Sequence, residues 1–176
     1  MKKGFTLLEI NLAVMIMAGG VLSVLGLYGL GYREKRQSRE DVAAAAYADA
    51  VLSPLVMALS ATNVTWSSFN SIDNYPGNNG WGEYIDSNGI VSQDPTGMAK
   101  NAFNRTVKAV GGNASWPSSS ASGGLLPGLV VLHKRDSGVV KIGFRATRHE
   151  SELLSMPLFY TEVRFQGPTR KASENQ

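Results

Sequence analysis

Hydrophobic and polar positions divide this chain into a uniformly apolar opening and a remainder in which the two kinds of residue alternate. Residues 5–32 read FTLLEINLAVMIMAGGVLSVLGLYGLGY, and Glu9 is their sole ionisable side chain apart from the two tyrosines. A helix of that length rises roughly 40 Å at ~1.5 Å per residue, and about 20 apolar residues already cross a bilayer core. The pattern predicts a membrane-spanning helix. A cleaved secretory signal fits poorly, because the run is too long, Glu9 interrupts it and no small-x-small cleavage site closes it.

Beyond Tyr32 the helical reading continues through REKRQSREDVAAAAYADAVL, favoured by four consecutive alanines. Val42, Ala46, Ala50 and Val51 fall roughly on one face, which is expected to pack on a globular part. Ser53-Pro54 resembles an N-cap and first helical position, so a kink or a second helix through Ser60 is expected. Residues 33–61 are thus the continuation of the long helix.

From Thr62 to Gly124 the composition turns to Gly, Ser, Asn and Asp, with turn material at residues 74–80 and 86–89. Inside this stretch Asp94-Pro95, followed by Met98, Ala99, Phe103, Val107 and Val110, predicts a short amphipathic helix closed by Gly111-Gly112. Residues 115–124 read as a low-complexity, mobile loop. Residues 125–166 read as strands: 129–133 and 139–146 flank a hairpin turn at 134–138, and 158–165 alternate as a half-buried third. A three-stranded antiparallel meander on a helix makes the fold class α+β. Residues 167–176 form a polar tail, expected to fray.

Charge and composition change this picture mainly by exclusion. The 176 residues carry 17 Lys and Arg against 14 Asp and Glu, a net charge of +3, and Lys2 and Lys3 supply two of the three. The rest is nearly neutral and lacks a basic and aromatic stripe, so no nucleic-acid partner is expected. With no cysteine, thiol catalysis, thiolate metal sites and disulfides are excluded. His133 and His149, the two histidines, show no metal-ligand spacing, and Glu150 and Glu152 read as solvated charge. No nucleophile elbow or P-loop occurs. No catalytic residue, cofactor or metal is therefore expected, and the chain does not read as an enzyme. Asp86-Ser87-Asn88-Gly89 with Asp94 faintly echoes a calcium loop but lacks the further ligands, and a plain turn is the better reading. Trp66, Trp81, Tyr84 and Trp116 mark either a binding surface or, the favoured reading, the sparse core of a loop-rich region.

The decisive chemistry lies at the start. A carboxylate at mid-membrane costs about 2.5–3.5 kcal/mol, less near the interface, so Glu9 needs a partner. Lys2-Lys3-Gly4-Phe5-Thr6-Leu7-Leu8-Glu9 resembles the processing and assembly motif of type IV pilins and type II secretion pseudopilins. The resemblance is close over about the first 35 residues and extends to the remainder only in general architecture. It implies that residues 1–4, with Lys2 and Lys3, are a leader removed after Gly4 by a membrane peptidase and methyltransferase. Phe5 would then be the N-methylated terminus, and Glu9 would pair with the Phe5 ammonium of a neighbouring subunit. It further implies a pilin-like fold, a single-pass inner-membrane location with an exported C-terminal domain, and assembly with other pilin or pseudopilin subunits. Residues 62–124 would be the variable region, and the missing disulfide leans toward a pseudopilin or minor subunit.

Gly19, Gly20, Ser23 and Gly26 place small residues along the membrane helix, where they either permit close approach of helices or stand as ordinary membrane-helix residues, and both readings stay open. One feature opposes the implied orientation. Arg33, Lys35, Arg36 and Arg39 follow the span while only Lys2 and Lys3 precede it, which by counting favours a cytoplasmic C-terminus. The short leader and the dilution by Glu34, Glu40 and Asp41 favour export instead. Two other readings stay open: a tip adhesin or binding subunit using residues 62–124, and a non-polymerising, membrane-anchored exported protein.

Overall fold

The computed structural model describes residues 6–88, 90–91 and 94–167. The chain forms two units, one up to Val42 and one from Ala43 onward. Helix α1, Leu7–Leu59, runs unbroken for 53 residues and contributes to both.

The second half of α1 corrects two expectations. Pro54 stands inside the helix, and no second helix begins there. An interior proline costs about 3 kcal/mol. Val51, Leu55 and Leu59 beside it are fully buried, and each such side chain contributes about 1.5–3 kcal/mol, enough together to carry the helix on past the proline. The packed face also differs from the one expected. Of the expected residues Val51 is buried and Ala50 half-buried, but Val42 is 67% exposed and Ala46 is exposed, whereas Tyr47, Ala48, Leu55 and Leu59 are buried. Tyr47, Val51, Leu55 and Leu59 recur every fourth residue. Alanine offers too little area to fix a helix face, and the Tyr47 ring does so instead.

Among the described residues three shorter α-helices follow: α2, Trp66–Asn70, α3, Pro95–Ala109, and α4, Ser119–Ser122. The helix expected after Asp94 is α3. Asp94 caps it, its carboxylate accepting from the Gly97 amide at 2.7 Å. Gly111, at φ 70°, turns the chain out of the helix, and the Gly112 amide donates to the Val107 carbonyl at 2.9 Å. Ala99, Ala102, Phe103, Thr106 and Val107 form its buried face.

Strands β1, Leu126–His133, β2, Val139–Thr147, and β3, Phe159–Arg164, make one antiparallel sheet in the order β1-β2-β3. Val131 pairs with Ile142 and Ile142 with Thr161. β1 begins three residues earlier than expected and includes Pro127, opposite Ala146. A proline is tolerated there because β1 lies at the end of the sheet order. Tyr75 caps that edge by exchanging backbone hydrogen bonds of 2.9 and 2.8 Å with Val131.

Each face of the sheet has its own packing. On one, Leu129, Val131, Val140, Ile142 and Phe144 join Tyr47, Val51, Leu55 and Phe103 in the main core. Tyr47 meets the Phe144 ring edge-on at 5.3 Å, and Trp116 meets Phe103 at 5.5 Å. The stretch 115–124 is therefore anchored by its tryptophan and carries α4. On the other face Tyr84, Val130 and Leu153 are buried, with Trp81 packed against them. Trp81 lies across two glycines: a Cβ on Gly128 would stand 2.9 Å from Trp81 Cζ3, and one on Gly143 3.3 Å from Cζ2. Above the ring, the Arg145 guanidinium sits 4.9 Å from its centroid and donates to the Leu154 carbonyl. Trp66 likewise packs on Phe165. The aromatic residues of the polar middle region thus go to internal packing.

Candidate membrane and assembly site

Residues 7–32 present a long run of exposed apolar side chains. The apolar window of α1 is long enough to cross a membrane, and none of it is buried within the chain. Leu7, Leu8, Met15, Met17, Leu22 and Leu27 are all more than two-thirds exposed. A continuous apolar surface of this extent marks contact with lipid or with another protein. Gly19, Gly20, Gly26, Gly29 and Gly31 have nothing within 4 Å of a notional Cβ, and Ser23 returns its hydroxyl to the Gly19 carbonyl at 2.8 Å.

Glu9 is engaged at the helix start. Its Oε2 accepts from the Thr6 amide at 2.8 Å and from the Thr6 hydroxyl at 2.9 Å, while the Glu9 amide donates back to Thr6 Oγ1 at 3.3 Å. This reciprocal arrangement is a capping box. It satisfies two donors that the first turn would otherwise leave open, and it supplies the carboxylate with partners from its own chain. The Thr-x-x-Glu spacing of Thr6 and Glu9 encodes it, a signal local to the helix start and independent of any charge in lipid. Lys2, Lys3, Gly4 and Phe5 lie outside the described residues.

The globular unit offers clefts but no convergent chemistry among its described residues. A groove of about 650 Å³ runs between Asp49, Pro54, Met57 and the 110–114 turn, and one of about 790 Å³ is lined by Lys100, Asn104, Trp116 and several serines. No group of three potential metal-ligating side chains occurs among the described residues. His133 is buried, with Nδ1 3.0 Å from the Ile72 carbonyl and its ring edge-on to Phe69 at 5.7 Å, which gives it a packing role. His149, Glu150 and Glu152 are exposed. The Asp86 carboxylate closes a turn, accepting from the Asn88 and Ile90 amides at 2.9 Å each. No family model, no curated protein and no solved structure matches the chain.

The most perturbed titratable group of this unit is structural. Tyr84 is fully buried; its hydroxyl donates to the Leu129 carbonyl and accepts from the Leu129 amide, both at 2.8 Å. Burial raises its pKa well above the ordinary tyrosine value, and burial also raises that of Tyr47. A pKa higher in the folded than in the unfolded state means that the folded state holds the proton more tightly. The stability so gained is complete below the unfolded value of ~10 and is lost as pH rises toward the folded one. Alkaline denaturation should therefore set in above about pH 10. Tyr84→Phe should cost about 1–3 kcal/mol at neutral pH by orphaning Leu129, and should flatten the alkaline decline. Urea titrations at pH 7 and pH 11 measure both.

Proposed function

We propose that this chain is a structural, minor subunit of a membrane-derived filament, resembling type IV pilins and type II secretion pseudopilins. The observation that carries the reading is an exposed, uniformly apolar helix with one carboxylate four residues beyond Phe5. Such a helix is costly as free surface in water and is stable in lipid or in a bundle of its own kind. In this reading the peptidase removes residues 1–4, Phe5 is N-methylated, and Glu9 exchanges its Thr6 partners for the terminal amine of a neighbour as the subunit leaves the membrane. The α+β unit is exported and decorates the filament. The small residues from Gly19 to Gly26 admit neighbouring helices at short range.

The tip-adhesin reading draws its support from the polar groove around Lys100 and Asn104. Its aromatic surface is reduced, since Tyr84 is buried and the half-buried Trp66, Trp81 and Trp116 pack on neighbouring rings. Shearing cells and sedimenting the released filaments tests the filament reading. The chain should pellet with them in detergent that dissolves the membrane. Recovery of all of it as a detergent-soluble monomer would contradict the proposal.

A further inference from the structure

At about 100° per residue, Tyr28, Tyr32, Lys35 and Arg39 fall within an arc of roughly 60° on α1, at spacings of i, i+4, i+7 and i+11. The helix is continuous through all four, and all four are exposed. Glu34 and Asp41 fall roughly on the opposite side by the same geometry. Arg36 is taken up by Glu40 at 3.3 Å. This end of the apolar stretch therefore carries one aromatic and basic stripe backed by acidic residues.

We propose that this stripe is a binding face for anionic phospholipid headgroups; the proposal rests on α1 being a membrane span. Tyrosines collect where hydrocarbon meets headgroup, with the ring in the apolar layer and the hydroxyl in the wet one. Tyr32 and Arg39 are separated by about 10 Å of helix rise. A headgroup layer is roughly 5–8 Å thick in each leaflet, and Lys and Arg side chains fold back toward it along their apolar stems. With Tyr28 and Tyr32 at the boundary, Lys35 and Arg39 reach lipid phosphates, where a guanidinium donates two parallel hydrogen bonds and an ammonium supplies a point charge. The acidic side repels the same lipids, so the preference is confined to one face of the helix rather than spread around it. Anionic lipid bound there offsets the excess of positive charge that follows the span, whichever leaflet receives it.

The test uses the full chain, reconstituted into vesicles of phosphatidylcholine alone or with about a third phosphatidylglycerol, with spin-labelled lipids reporting the protein boundary. The chain should float with both vesicles. Labelled phosphatidylglycerol should be enriched over phosphatidylcholine at the boundary by at least about threefold, a preference that salt reduces. Lys35→Gln with Arg39→Gln should bring the ratio close to one, and glutamine keeps the helix propensity. Arg33→Gln should retain most of the preference, Glu34→Gln with Asp41→Gln should keep or raise it, and millimolar inorganic phosphate should leave it intact. The proposal is overturned if the Lys35/Arg39 variant matches wild type, if Arg33→Gln loses as much, or if free phosphate abolishes the preference. Unchanged lipid preference with lost self-association in detergent would also overturn it, and would assign the face to a second copy of the chain. Failure to float with either vesicle would instead remove the membrane span on which the proposal rests.

Discussion

Glu9→Val is expected to leave the chain processed and inserted in the membrane but to reduce its incorporation into filaments at least a hundredfold. The sign is the informative part. Glu9 stands in the first turn of the helix, so valine relieves a membrane penalty smaller than the ~2.5–3.5 kcal/mol of the bilayer centre, and an ordinary anchor would tolerate the change or benefit from it. If Glu9 meets an amine inside a helix bundle, removing one partner strands the other, at a cost of about 3–5 kcal/mol. At 1.4 kcal/mol per tenfold, that is more than two orders of magnitude in partition. Glu9→Gln separates charge from capping, because a glutamine at this position of a capping box still reaches the helix start. Equal loss with Val and Gln assigns the effect to the charge, and full recovery with Gln assigns it to the contact with Thr6. Quantitative blotting of sheared filaments against total membrane reads both variants.

Phe144→Ala should destabilise the globular unit by about 3–5 kcal/mol, the range for deleting a fully buried aromatic ring. Phe144 is completely inaccessible, sits on the central strand and meets Tyr47 of α1 edge-on. Against a total stability of about 5–15 kcal/mol for an ordinary domain, such a loss removes roughly a fifth or more. Trp66, Trp81 and Trp116 are the chain's three tryptophans, and all belong to this unit, so intrinsic fluorescence follows its unfolding without interference from the apolar helix. Val42→Ala, at a position 67% exposed, should shift the same transition by less than about 0.5 kcal/mol. Similar effects from the two substitutions would mean that the packed face of α1 is not the one through Tyr47.

The apolar helix, α3 and the three-strand meander were legible in the sequence because each signal is local. The span follows from composition alone, α3 from an Asp-Pro start and a glycine pair, and the hairpin from two apolar runs about a short polar turn. The packed face of α1 was not legible, because residues 43–46 are all alanine and carry almost no preference for one side. Pro54 misled for a physical reason: local propensity ends a helix there, and only the burial of Val51, Leu55 and Leu59 carries it on. The platform of Trp81 on Gly128 and Gly143 joins residues far apart in the chain, and no spacing rule links a tryptophan to distant strand glycines. At the candidate site the lone carboxylate was legible and its capping role was missed, although Thr6 and Glu9 stand at the spacing that defines it.

Mass spectrometry of the amino terminus of the protein isolated from membranes tests the central claim most directly. The assembly reading predicts a chain that begins at Phe5 and carries one N-methyl group, with the leader through Gly4 gone. A mature protein that still begins with Met1, unmethylated, would contradict it.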